Sequence, residues 1–249
     1  MIRLKCQPGT EAATLTIQLN TSSPTLSLSA LKSSTEPIIR LQIHIRIAKS
    51  VHPSRPITFC TQGTIFDTAH PTSGHMDTLA LGKLGPGLVC THANGQRKVI
   101  SLGNFRVHRA RQDGDNATNL AERPDTHFVS VPSLDSGGDL VLTHEITSGR
   151  LFAHAEGITR EDLQVGEKYE MGTSERHLGT MWWCWGDLDG DLEGIKLHCF
   201  SEGFCVAGEV ERPGAEEVER EGWVTGQDVS RLVFGFGAWG RGCGITVVE

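Results

Sequence analysis

The sequence predicts an all-β protein, an antiparallel β-sandwich with a short, mixed, acidic C-terminal extension. Three observations predict it. Apolar residues recur at every second position in short runs. Glycine and proline interrupt those runs roughly every ten residues, as in sheet proteins built from many short strands. No long stretch with helical periodicity occurs before residue 213. The expected organisation is a sandwich over residues 1–185 and an extension over 186–249 packed on it, because Trp223, Phe234, Phe236 and Trp239 need apolar surroundings.

The elements follow in chain order. "PTLSLSAL" alternates over Leu26 and Leu28. In "EPIIRLQIHIRIAKS", Ile39, Leu41, Ile43, Ile45 and Ile47 fall on one face, and Arg40, Gln42, His44 and Arg46 on the other, which predicts a half-buried strand. "RPITFCTQGT" follows a proline-rich turn at 53–56. Asn94-Gly95, between "GLVCTHA" and "QRKVISLG", is the strongest hairpin signal in the chain, because both residue types tolerate the positive φ that tight hairpin turns need. "NFRVHRAR", "HFVSVP" and "DLVLTHEI" predict further strands, followed by "RLFAHAEG", "KYEMGTSE" and "TMWWCWG". "RPGAEEVEREGW" and "TGQDVSRLVF" predict one or two helical turns each, the second with a capping-type start at Thr225 and Asp228, and "CGITVVE" predicts a final strand.

The totals bound the class. A chain of 249 residues, 38% hydrophobic and 21% charged, is long enough to bury a sizeable core without disulfide or metal. The start shows no apolar signal region, and no apolar run approaches the ~20 residues that span a bilayer. Seven cysteines at irregular positions, without a secretory signal, predict reduced thiols and a cytoplasmic location. Residues 186–221 hold eleven acids against Lys196, Arg212 and Arg220, so the net charge of −7 is concentrated there. Residues 97–111 hold Arg97, Lys98, Arg106, Arg109 and Arg111 and no acid. That stretch reads as a solvated strand face; nucleic acid is not an expected partner of a net-negative chain.

Leu163, Gly166 and Tyr169 in "DLQVGEKYEM" resemble the tyrosine corner of immunoglobulin-like and fibronectin-like sandwiches. The resemblance implies an immunoglobulin-like β-sandwich in which Tyr169, the single tyrosine, is buried with its hydroxyl bonded to backbone a few residues upstream. "RPITFCTQGTIFD" (55–67) is similar to a type of fungal intracellular or propeptide-like β-sandwich protein; this resemblance transfers no site.

Among the motifs, "MWWCW" comes first. On a strand Trp183 and Trp185 share one face and Trp182 and Cys184 the other, so the segment predicts a central strand covered on both sides. "DLDGDLEG" after it places Asp187, Asp189, Asp191 and Glu193 at alternate positions. It departs from the EF-hand pattern at Leu192 and His198, which leaves a looser hard-cation loop or an ordinary Asp-Gly turn, with the acids in water. Gly235, Gly237 and Gly240 match a dinucleotide fingerprint but lack the helix and strand that must follow. His75 and Asp77, with His127 or His144 as a third ligand and Arg150 or Arg160 to hold a co-substrate, resemble the facial triad of non-haem iron oxygenases. His144-Glu145 lacks the second histidine of a zinc-protease helix, and Cys184, His198, Cys199 and Cys205 fit no zinc-finger spacing. The expected function is non-catalytic binding of a protein or small-molecule partner, with a metal-dependent, oxygenase-like enzyme as the alternative. No cofactor is assigned.

Overall fold

The computed structural model describes residues 9–32, 35–68, 79, 87–102, 119–123, 126–155, 157–172, 178–201, 215–237 and 242–249. The protein is all-β, with fourteen strands among the described residues: β1 (Ala13–Thr21), β2 (Thr25–Ser27), β3 (Pro37–Ser50), β4 (Ile57–Cys60), β5 (Gly87–Thr91), β6 (Arg97–Ile100), β7 (Phe128–Val131), β8 (Leu140–Thr147), β9 (Lys168–Gly172), β10 (Trp183–Trp185), β11 (Lys196–Ser201), β12 (Trp223–Gly226), β13 (Leu232–Phe236) and β14 (Gly242–Val248). Two short helices accompany them, α1 (Ser148–Phe152) and α2 (Ala215–Arg220). None of the described helices is long and apolar enough to cross a membrane.

Four sheets result, ordered β13-β1-β3-β8, β2-β14-β9-β5-β6, β10-β4-β7 and β11-β12. The alternation in β3 works as its pattern predicts: Ile39, Leu41, Ile43, Ile45 and Ile47 are buried, while Arg40 and Arg46 are exposed. These side chains join Leu15, Ile17, Leu19, Ile146 and Phe234 from the same sheet. The five-stranded sheet adds Leu26, Leu88, Ile100, Tyr169, Met171, Ile245 and Val247 to the same apolar cluster. Burial at about 25 cal/mol per Å² of apolar surface is the main force holding the two sheets together.

Several expectations are corrected. The two larger sheets are mixed and not purely antiparallel, since β1 pairs parallel with β13 and β14 with β2, and the β11-β12 pair is parallel; β10-β4-β7 is antiparallel throughout. Parallel neighbours cannot be joined by a tight hairpin, and these strands are far apart in the chain. Residues on both sides of position 185 share sheets, since β13 lies beside β1 and β14 lies between β2 and β9. Sequence reading passed over β1, although Leu15, Ile17 and Leu19 alternate cleanly, and over β11 and β12. "RLFAHAEG" leads off with the end of helix α1, started by the Thr147 hydroxyl, which accepts from the Arg150 N–H. "TGQDVSRLVF" is mostly strand; Asp228 caps a single 3-10 turn at 229–231. "NFRVHRAR" lies outside the described residues.

The tryptophan segment is covered on both faces. β10 pairs with β4, placing Trp183 opposite Phe59 and Trp185 opposite Ile57 on the main core. Trp182 and Cys184 face a second cluster with Cys60, Leu120, Leu192 and Leu197. Each inner indole finds a carbonyl: Trp183 Nε1 donates to Asp228 and Trp182 Nε1 to His198. Phe59, Phe66 and Phe234 pack with ring centroids 5.4–5.6 Å apart beneath this sheet.

Candidate functional site

The site grows from the register of three strands. On β5, Cys90 stands opposite Lys98 of β6 and opposite Tyr169 of β9. Side chains directly opposite in a sheet share a face, so thiol, ammonium and phenol form one row. Strand alternation brings His92, two residues past Cys90, back towards that row. The chain then reverses over Asn94-Gly95. His92 N–H donates to the Gln96 carbonyl at 2.8 Å and Gly95 N–H to the His92 carbonyl at 2.8 Å. Gly95 takes a φ of +81°, the conformation for which the turn needs glycine.

Glu167 arrives from the other side, out of the turn that starts β9. Gly166 bends the chain at a φ of +90°, and Glu167 N–H donates to the Gln164 carbonyl. The carboxylate is buried, its side chain 7% exposed, and it is the hub of the site. Its Oε2 accepts from the Tyr169 hydroxyl at 2.9 Å and from the Gln164 N–H at 3.0 Å. Its Oε1 accepts from Lys98 Nζ at 2.7 Å and stands 3.9 Å from His92 Nε2. Lys98 also donates to the Asp162 carbonyl. Burial alone would raise the Glu167 carboxyl, but the Lys98 ammonium and the two hydrogen bonds to Oε2 outweigh it and hold the group below the usual carboxylate range. Burial first, and then the Glu167 charge, push the Tyr169 phenol far above its ordinary value, so it stays a donor at any physiological pH.

Above this row lies a shallow hollow, wide open to solvent, of about 510 Å³, lined by His92, Asn94, Gln96, Lys98, Gln164 and Glu167. Its walls offer a cation, an imidazole, a carboxylate and three amides, and Cys90 lies buried beside them. Cys90, His92 and Glu167 each bring one donor atom within 4.8 Å of the other two. Such a set can recognise a small polar molecule or hold a cation. Away from the site, burial pushes the Cys184 thiol up to about 12 and the Cys243 thiol up to about 11, so neither is primed as a nucleophile.

The residues singled out by sequence fall elsewhere. Asp187 closes its own turn, its Oδ1 accepting from the Asp189 N–H at 2.9 Å, and Asp189, Asp191 and Glu193 are exposed. Among the described residues, none of these four acids belongs to a ligand group like that of Cys90, His92 and Glu167. His144 is buried, with Nε2 2.7 Å from the Ile65 carbonyl oxygen, and Glu145 points the other way to meet Arg40. His75 and Asp77 lie outside the described residues. His127 approaches Asp67 at 3.2 Å, Arg150 donates to the Glu145 carbonyl and Arg160 to Glu161. His198 packs edge-on against Trp223; Cys205 and the side chain of Cys199 lie outside the described residues. Gly237 stands where a Cβ would come within 2.9 Å of Thr16, a packing role in place of a phosphate loop. Gly240, Arg106, Arg109 and Arg111 lie outside the described residues.

Tyr169 is buried and its hydroxyl has a partner two residues upstream, but that partner is a carboxylate where the tyrosine-corner resemblance implied backbone. Sequence reasoning missed the site. The legible signal was Cys-x-His at the end of a strand before Asn-Gly; Glu167 had no local signature. Comparison with protein-family models, with curated proteins and with solved structures returns no match to this chain.

Proposed function

We propose that this chain is a non-catalytic, immunoglobulin-like β-sandwich protein that binds a small polar molecule in the hollow beside Glu167. The observation that carries the reading is the lining itself. A cation, an imidazole, a buried carboxylate and three amides converge on one open space of about 510 Å³. Small-molecule sites bring a few convergent polar groups together, and here the paired strand β6 holds Lys98 and the hydrogen-bonded turn before β9 holds Glu167 before a ligand arrives. The shared apolar cluster between the two larger sheets supports the sandwich reading. A reducing, cytoplasmic setting suits the free thiols of Cys60, Cys90, Cys184 and Cys243.

The test is a thermal-shift screen with chelator present, using amino acids, dicarboxylates and monosaccharides. A binder at a hundred times its Kd adds about 2.7 kcal/mol of stability, which raises the melting temperature by several degrees. The reading expects at least one such compound, with the shift lost in Gln96→Ala and Gln164→Ala. Shifts that survive both substitutions would place binding elsewhere and defeat it.

A further inference from the structure

We propose that Cys90, His92 and Glu167 form a binding site for a zinc-type divalent cation, with Lys98 as the resident counter-charge that the metal displaces. The proposal rests on the binding reading above and names an ion for the inner wall of the same hollow.

The donor set comes first. A thiol, an imidazole and a carboxylate combine one soft, one borderline and one hard ligand, the mixture that suits zinc or cobalt(II) and not the all-oxygen preference of calcium or magnesium. Three protein donors with a fourth position open towards the hollow is the pattern of a zinc site that keeps room for water or a small ligand.

The geometry comes second. The three donor atoms already lie within 4.8 Å of one another, with His92 Nε2 3.9 Å from Glu167 Oε1. Zinc–ligand bonds of about 2.0–2.3 Å bring tetrahedral donors to about 3.3–3.8 Å apart, so closure needs roughly one ångström of movement. His92 can supply it, because its side chain is 37% exposed at the edge of the hairpin turn. Cys90 and Glu167 are the fixed part. Cys90 is paired on both sides within the sheet. Glu167 has Oε2 held by the Tyr169 hydroxyl and the Gln164 N–H, which leaves Oε1 turned towards the site. Outer partners of this kind orient a ligating carboxylate.

Lys98 comes third. Its ammonium lies 2.7 Å from Oε1, so a positive charge already occupies the neighbourhood a metal would take. Two cations cannot share one carboxylate oxygen at low cost, so metal and Lys98 compete for it. The displaced ammonium still has the Asp162 carbonyl to donate to. Binding would also draw the proton from the Cys90 thiol to solvent as the thiolate–metal bond forms.

The experiment uses the full chain, stripped with chelator, kept reduced and titrated with cobalt(II). The expected result is one equivalent bound, with tetrahedral d–d bands and a thiolate-to-cobalt charge-transfer band, all removed by one equivalent of zinc. Cys90→Ser abolishes the charge-transfer band. His92→Ala, on the exposed hairpin edge, weakens cobalt binding at least tenfold and keeps the test open should the Cys90 variant fail to fold. Lys98→Met tightens it severalfold. The metal site is overturned if the wild type binds no cobalt at one equivalent, or if the charge-transfer band persists in Cys90→Ser. The displacement is overturned if Lys98→Met binds no tighter. A protein that takes no cobalt yet responds to small molecules in chelator loses this proposal and keeps the binding reading; one that takes cobalt and responds to none loses the reading and keeps the site.

Discussion

At the scale of single residues, Glu167 determines what the site is. A buried carboxylate without partners would be costly, and this one has an ammonium, a hydroxyl and a backbone N–H. Its folded pKa lies below the ordinary 4.5, so the stability it contributes is present above that pH and is lost as pH falls through the folded value. Denaturant melts from pH 7 down to pH 2 should therefore show an acid limb that Glu167→Gln flattens below about pH 4.5. An unchanged limb would mean that other carboxylates govern acid unfolding. Tyr169→Phe removes one charge-assisted bond and leaves the carboxylate its other two. A loss of about 1–2 kcal/mol in urea unfolding is expected. A neutral substitution would mean that the phenol packs without holding Glu167.

At the scale of elements, the boundary between β10 and the acidic turn separates core from solvent. Tryptophan is favourable to bury and an unpaired carboxylate is not, and the first exposed acid, Asp189, stands four residues past Trp185. Calcium at sub-millimolar concentration should leave the melting temperature unchanged, in the wild type and in the Asp189→Asn, Asp191→Asn double variant alike. A rise of several degrees in the wild type, abolished by the double variant, would make the turn a cation site. Trp183→Ala should cost about 3–5 kcal/mol, because the vacated space lies in the main core and removes the bond to the Asp228 carbonyl. An effect below about 1 kcal/mol in denaturant melts would contradict that placement. Strands such as β3, β10 and the β5–β6 hairpin were legible because period-two alternation, an apolar run and Asn-Gly are local signals. β11 and β12 were not legible, since both lie in a segment read as an acidic extension. The parallel pairings were not legible either, because nothing near β1 announces that β13 will lie beside it.

At the scale of the whole molecule, the site exists because distant segments meet. The β5–β6 hairpin brings Cys90, His92 and Lys98, and the turn before β9 brings Glu167. The sequence shows the hairpin but not its neighbour, so the site was half visible as Cys-x-His and otherwise hidden. Residues chosen for their chemistry in isolation, His144 and Asp187 among them, turn out to serve a carbonyl and a turn. The central claim is that this chain works by binding at the hollow beside Glu167. Amide chemical-shift mapping by NMR tests it most directly, using the strongest compound from the thermal screen with chelator present. The account predicts that the perturbed amides cluster at His92–Gln96, Lys98 and Gln164–Glu167. Perturbations clustered on another surface, with these amides unmoved, would contradict it.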